Sequence, residues 1–304
     1  MKRDFLALQD FTPDEILLLL ELTKKIKAGK KATKPVLKGK SIGLLFQKSS
    51  NRTRVSFEVG IYQLGGNCIY LGPKEIKIGE REAVSDVSNT LSRYLDGIVA
   101  RTYTHQTVVD LAKYAKIPVI NGLSDLTHPC QALTDIFTIK EHFGTLKNKT
   151  VAYVGDGNNV CNSLLIGCSK IGIDMNVATP KGYEVATDIV DNAKKNAKKS
   201  GAKLLFTLLP EEAVKGADVI YTDTWVSMGQ EDETKERLKV FQSFQVNKNL
   251  MKLAQKNCVF MHCLPAHRGQ EVTDEIMDGS NSIIFDQAEN RLHTQKAIMT
   301  FLFK

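Results

Sequence analysis

The sequence predicts an α/β protein with two doubly wound parallel-sheet domains joined by linking helices and an active site in the interdomain cleft. Three observations predict it. Short apolar runs bounded by turn residues alternate with helical periodicity along nearly the whole chain. At 304 residues there is room for two domains of about 150 residues, each able to bury its own core. Finally, almost every chemically suggestive side chain falls just past the carboxyl end of a predicted strand, where open α/β sheets bind ligands.

The elements follow in order. Thr12-Pro13-Asp14-Glu15 combines an N-cap hydroxyl, a proline at the first helical position and a glutamate three residues after the cap, so a helix is predicted over 13–27. Apolar runs at 41–46, 68–71, 97–101 and 118–121 read as strands, with helices over 52–64, 83–94 and 106–116 between them. Parallel strands need crossovers and these helices supply them, so residues 1–130 are predicted to form a domain around a four-stranded parallel sheet. A linking helix and polar loop occupy 131–149. A second domain, 150–285, alternates again, with strands expected at 151–154, 175–178, 204–208, 219–222, 259–262 and 283–285. Asp286 and Glu289 have the spacing of a capping box and open a last helix over 287–302, within a C-terminal segment 286–304.

Composition excludes several classes. The longest apolar stretches fall far short of the roughly twenty residues of a membrane span, and the N-terminus does not read as a signal peptide, so a cytoplasmic protein is expected. Six cysteines are scattered without C-x-x-C spacing and imply no disulfide framework. The formal charge of +7 is concentrated in lysines over 24–40 and 194–199, without interleaved aromatics. Solvated helix faces explain these better than a nucleic-acid surface does.

Ser50-Asn51-Arg52-Thr53-Arg54 stands between the first strand and the helix after it. Hydroxyls, two guanidiniums and the free N–H groups of a helix N-terminus converge there, which makes an anion cradle suited to phosphate. A capped, basic first turn on a solvated face would look the same, and a second motif decides between them. His128-Pro129-Cys130-Gln131 follows some eighty residues later, and the pair of motifs resembles the aspartate/ornithine carbamoyltransferase family. Landmarks of the resemblance run from Ser50 to Arg291.

The resemblance implies two substrates, no metal and no organic cofactor. Carbamoyl phosphate would be held by Ser50, Asn51, Arg52, Thr53 and Arg54. Arg101 and His128, with the Thr53 hydroxyl, would aim donors at the carbonyl oxygen as it gains charge. Gln131 would accept from the carbamoyl NH2, and Arg291 would return to the same pocket. Asp223-Thr-Trp-Val-Ser227-Met228-Gly229 and His262-Cys263-Leu264-Pro265 resemble the ornithine branch. There Asp223 suits an α-ammonium, Asn159, Ser227 and Met228 an α-carboxylate, while Cys263 and the Leu264 carbonyl line the site beside the reacting amine. Arg101, His128 and Cys263 are the catalytic candidates. A metal held by His262 and Cys263 is disfavoured, since an extended backbone sends them to opposite faces.

The family further implies a homotrimer, or an assembly of trimers, with shared active sites and neither nucleic-acid nor membrane partners. Lys77 stands where many relatives carry a glutamine that enters a neighbouring subunit's phosphate site. Asn51 stands where threonine is commoner. Other readings stay open: an aspartate or putrescine carbamoyltransferase, a catalytically inactive ligand-binding scaffold, or a dinucleotide-binding protein suggested by Val154-Gly155-Asp156-Gly157. The last lacks a third glycine at Val160 and an acid after the next strand. Synthesis of citrulline and its breakdown use the same residues, so direction in the cell is not legible.

Overall fold

The computed structural model describes residues 2–29, 35–79, 81–227 and 231–303. They divide into two compact units, one running up to Phe137 and resuming at Glu289, the other spanning Thr138–Ala288.

In the first unit the chain runs α1 (Pro13–Lys27), β1 (Ser41–Phe46), α2 (Asn51–Gln63), β2 (Asn67–Leu71), α3 (Val84–Tyr94), β3 (Gly97–Arg101), α4 (His105–Tyr114), β4 (Val119–Leu123) and the start of α5 (Pro129–Phe143). The four strands are all parallel, in the order β2-β1-β3-β4. α1 begins as its sequence dictates: Thr12 accepts from the Glu15 N–H, Glu15 accepts from the Thr12 N–H, and Pro13 needs no amide partner. One face of the sheet packs Leu45, Ile98, Ala100 and Val119 against Val87, Val108 and Leu111 of α3 and α4. At Gly97 a Cβ would lie 2.5 Å from the Phe303 ring, so glycine leaves the space that the C-terminal residues fill.

The second unit comprises the rest of α5, β5 (Thr150–Val154), α6 (Asn159–Ile171), β6 (Asp174–Ala178), α7 (Thr187–Ser200), β7 (Leu204–Thr207), α8 (Pro210–Val214), β8 (Val219–Thr222), α9 (Thr234–Phe241), α10 (Lys248–Met251), β9 (Val259–His262), α11 (Asp274–Met277) and the first turns of α12 (Ile284–Leu302). Its parallel sheet has the order β7-β6-β5-β8-β9. β5 is central, and the order reverses about it, which places the carboxyl ends of β5 and β8 at a topological switch point. Ala152, Val154, Ile220 and Phe260 anchor a core closed by Trp225, Phe241, Phe244 and Val272.

The strand expected at 283–285 does not form. Ile284 and Phe285 open α12, three residues before the expected start at 287, and the sheet meets this segment at a bridge between Phe260 and Ser282. The apolar triplet is a helix turn seen edge-on: Ile284 is buried in the core while Phe285 is 71% exposed. Two crossing points of the unit boundary lie within helices, in α5 between Phe137 and Thr138 and in α12 between Ala288 and Glu289. Among the described residues no helix is long and apolar enough to cross a membrane.

Candidate active site

Within the first unit, one cluster of candidate residues is built at the carboxyl ends of β1, β3 and β4. Ser50 caps α2, its hydroxyl accepting from the Thr53 N–H at 3.3 Å. Such a cap stabilises a helix by about 1 kcal/mol and here fixes the turn that carries Asn51, Arg52 and Thr53. Arg54 points elsewhere, stacking 3.8 Å from the Tyr70 ring centroid and pairing with Glu58 at 2.8 Å. Arg101 ends β3, where the pairing register with β4 shifts by one residue. This irregularity turns the last residue of the strand away from simple alternation. His128 follows a turn held by Asn121, whose amide donates to the Leu6 carbonyl at 3.0 Å and to the Thr127 hydroxyl at 2.9 Å.

These segments converge on Arg291 of α12. Its guanidinium donates to the Gln131 side-chain oxygen and, at 3.2 Å, to the Thr53 hydroxyl. Thr53, Arg101, His128, Gln131 and Arg291 are all buried. His128 is held well below the usual imidazole range by burial first, and then by the positive charges of Arg291 and Arg101. It is therefore a neutral ring able to donate an N–H without carrying charge. Lys77 is exposed on a loop whose neighbour Ile78 is buried and accepts from Gln47 at 3.2 Å.

Within the second unit, another cluster gathers at the ends of β5, β8 and β9. Asp223 accepts from the Cys263 thiol through one oxygen at 3.0 Å and from the Asn158 amide through the other at 2.8 Å. Asn158 also caps α6, its side-chain oxygen accepting from Val160 and Cys161 N–H groups, so the Asp223 carboxylate is tied to a helix N-terminus. Asn159 is the first residue of α6 and half-buried, as is Ser227 in the loop after β8. Met228 lies outside the described residues.

Cys263 and Leu264 sit on a short loop fixed by His262. The Leu264 N–H donates to His262 Nδ1 at 2.8 Å, which makes Nδ1 an acceptor and leaves the proton on Nε2, facing Glu271 at 3.2 Å. Glu271, fully buried, also accepts from the His267 N–H and closes the loop at its far end. Leu264 takes a positive φ of 61°, an uncommon conformation for a branched side chain. The expectation that His262 and Cys263 face apart is corrected here. β9 ends at His262, the chain turns, and the ligand-type atoms of Asp223, His262 and Cys263 come within 4.8 Å of one another. Each is already engaged: His262 through both nitrogens, Cys263 and Asp223 with each other. Metal chemistry would have to break this set.

The G-x-G after β5 is also explained by packing. A Cβ at Gly157 would lie 2.5 Å from the Val185 backbone nitrogen, so this glycine admits a neighbouring loop.

Sequence reasoning overlooked Asp135, Asn158 and Glu271. Asp135 is fully buried one helical turn after Gln131 and accepts from its amide nitrogen at 2.7 Å. The i,i+4 spacing of Gln131 and Asp135, and the cap position of Asn158 after β5, are signals that could have found two of them.

A family model described as the aspartate/ornithine carbamoyltransferase carbamoyl-P binding domain matches residues 3–141, and its Asp/Orn binding domain matches 147–302. With both halves of the chain matched, it belongs to the aspartate/ornithine carbamoyltransferase family. It is similar to the ornithine carbamoyltransferase of Caldicellulosiruptor saccharolyticus, with 55% identity over 99% of this chain and 98% of the relative. A Pyrococcus furiosus relative named "Ornithine carbamoyltransferase, anabolic" is 53% identical over 99% of this chain and 96% of its own. The solved structure of ornithine carbamoyltransferase from P. furiosus superimposes with a TM-score of 0.96 at 52% identity, covering 99% of this chain and 97% of that one.

Proposed function

We propose that this chain transfers the carbamoyl group of carbamoyl phosphate to the δ-amine of L-ornithine, releasing L-citrulline and phosphate. The observation that carries this is the buried convergence of Thr53, Gln131 and Arg291 with a neutral His128 beside Arg101. Carbamoyl phosphate presents a dianion, a carbonyl that becomes an oxyanion, and an amide nitrogen, and these side chains offer a partner for each. Ser50, Asn51, Arg52, Thr53 and the N-terminus of α2 take the phosphate. Arg101, His128 and the Thr53 hydroxyl donate to the carbonyl oxygen, and a neutral imidazole does so without gaining or losing a proton. Gln131 accepts from the carbamoyl NH2.

In the second unit Asp223 takes the α-ammonium of ornithine, with Asn159, Ser227 and Met228 on its α-carboxylate. The Cys263 thiol and the Leu264 carbonyl lie beside the δ-amine. A second carboxylate, as in aspartate, would call for cations that this set lacks. The experiment is turnover with L-ornithine, putrescine and L-aspartate as amines, read by citrulline formation and phosphate release. Turnover with ornithine alone is expected. Faster turnover with either other amine overturns the substrate, and no turnover with any of them would make the chain a binding scaffold.

The protein works as a cytoplasmic homotrimer, on the anabolic side of arginine metabolism in keeping with the name of the P. furiosus relative. An apolar stripe on α2 supports self-association: Val55, Val59 and Tyr62 recur at helical spacing and are 50%, 38% and 81% exposed. Beside it Ile69 is exposed on β2, the edge of the sheet. Lys77 reaches the phosphate of an adjacent subunit, where a charge-assisted contact is worth roughly 1.5–3 kcal/mol. Mixed trimers of Arg52→Ala and Lys77→Ala subunits test this, because each parent can supply what the other lacks. Regained activity after verified subunit exchange is expected; none beyond the parents would rule out a shared site.

A further inference from the structure

Gln131 has one orientation available to it. Its amide nitrogen faces the Asp135 carboxylate at 2.7 Å, and its oxygen faces the Arg291 guanidinium. A carboxylate only accepts and a guanidinium only donates, so flipping the amide would set donor against donor and acceptor against acceptor. Both Gln131 and Asp135 are buried, at 1% and 0% exposure, and water cannot repair a flipped arrangement. The amide oxygen has two lone pairs. Arg291 uses one and leaves the other to receive an N–H.

A fully buried carboxylate is costly unless it is hydrogen-bonded and offset by a positive charge, and here the Gln131 amide donates to it. Arg291 sits on the far side of the same amide, and the guanidinium, amide and carboxylate form a polarised chain in which each member strengthens the next. We propose that Asp135 is a positioning residue that gives the site its preference for a carbamoyl over an acyl phosphate. The inference rests on the carbamoyl phosphate reading above. Carbamoyl and acetyl phosphate share the phosphate and the carbonyl and differ only in NH2 against CH3. The sole side chain assigned to that difference is Gln131, and Asp135 compels it to present oxygen. Were the amide free to turn, its own NH2 would oppose the substrate's.

Calorimetric affinities of wild type, Asp135→Asn and Asp135→Ala for carbamoyl phosphate, acetyl phosphate and inorganic phosphate test this. Wild type should bind carbamoyl phosphate at least about tenfold more tightly than acetyl phosphate, because buried polar sites reject ligands that leave their groups unpaired. Asn keeps an oxygen for the Gln131 amide but loses the charge, so the ratio should fall roughly threefold to tenfold, with a larger fall in the alanine variant. Inorganic phosphate, which never reaches Gln131, should keep its affinity within about threefold in both. A ratio unchanged in Asp135→Asn overturns the inference even if the alanine variant does not fold, and so does a parallel loss for all three ligands. Wild type with no preference for carbamoyl phosphate would overturn both this inference and the reading beneath it.

Discussion

The candidate clusters of the two units differ in how much of their hydrogen bonding is already committed to distant parts of their own unit. In the first, Arg291 bonds to residues 160 and 238 positions away in sequence, drawing the ends of the unit onto one buried point. In the second, Asp223 is engaged by a cysteine and an asparagine that a substrate could displace. A positively charged site for a dianion can be assembled in advance, since cations held by neutral acceptors still attract the ligand on arrival. A single carboxylate awaiting an ammonium group has to exchange a thiol or amide donor for it. Removing Arg101 or His128 in the first unit should therefore act on the chemical step, and removing the Asp223 charge in the second on the affinity for the amine.

The largest expected effects test the first half of that contrast. Arg101→Ala or His128→Ala should depress kcat by on the order of 10²-fold or more if, as proposed above, their donors hold the carbonyl oxygen more tightly as it becomes an oxyanion. That corresponds to about 2.7 kcal/mol of transition-state stabilisation. Steady-state kinetics at saturating substrates measure it. A rise in KM for carbamoyl phosphate with kcat unchanged would show ground-state binding instead.

Asp223→Asn should act on the other half and more modestly. The amide is isosteric but cannot offset an ammonium charge, so KM for ornithine should rise roughly tenfold to a hundredfold, the range expected when a charge-assisted hydrogen bond is lost. Carbamoyl phosphate affinity, measured by calorimetry, should stay nearly constant. If both affinities fell together, the assignment of one substrate to each unit would be wrong.

The strands of the first sheet were legible because each is an apolar run closed by turn residues, and α1 because its cap, proline and glutamate stand at fixed offsets. Residues 283–285 misled for the same kind of reason. Three apolar residues satisfy a short strand and the first turn of a helix equally, and only the burial of Ile284 beside the exposure of Phe285 separates them. Individual side chains such as Arg101 and His128 could be proposed from motif spacing. The acids that hold Gln131 and His262 were harder to see: the i,i+4 spacing from Gln131 points to Asp135, but Glu271 looks like an ordinary loop acid, and its meaning appears only when the buried His262 imidazole is found bonded to it. The turn of β9 at His262 was hidden too, because an extended-strand assumption sent Cys263 the wrong way.

The smallest effect concerns the charge state that the first unit's cluster imposes. His128 stays neutral when folded because burial, Arg291 and Arg101 all oppose its protonation, whereas in the unfolded chain the same imidazole takes up a proton near pH 6.5. Below that pH the unfolded state binds more protons, so the stabilisation is complete above about pH 6.5 and is lost as pH falls further. His105 and His293 are also lowered by burial and contribute in the same direction. Asp4 and Asp156, raised by burial, act oppositely in the more acidic carboxylate range. Replacing His128 by Gln isolates its share. Denaturant unfolding at fixed protein concentration should show wild type losing about 1 kcal/mol more than His128→Gln between pH 7.5 and 5.5. Equal losses in the two proteins would mean that His128 accepts a proton in the folded state, and that the arginines beside it do not keep this imidazole neutral.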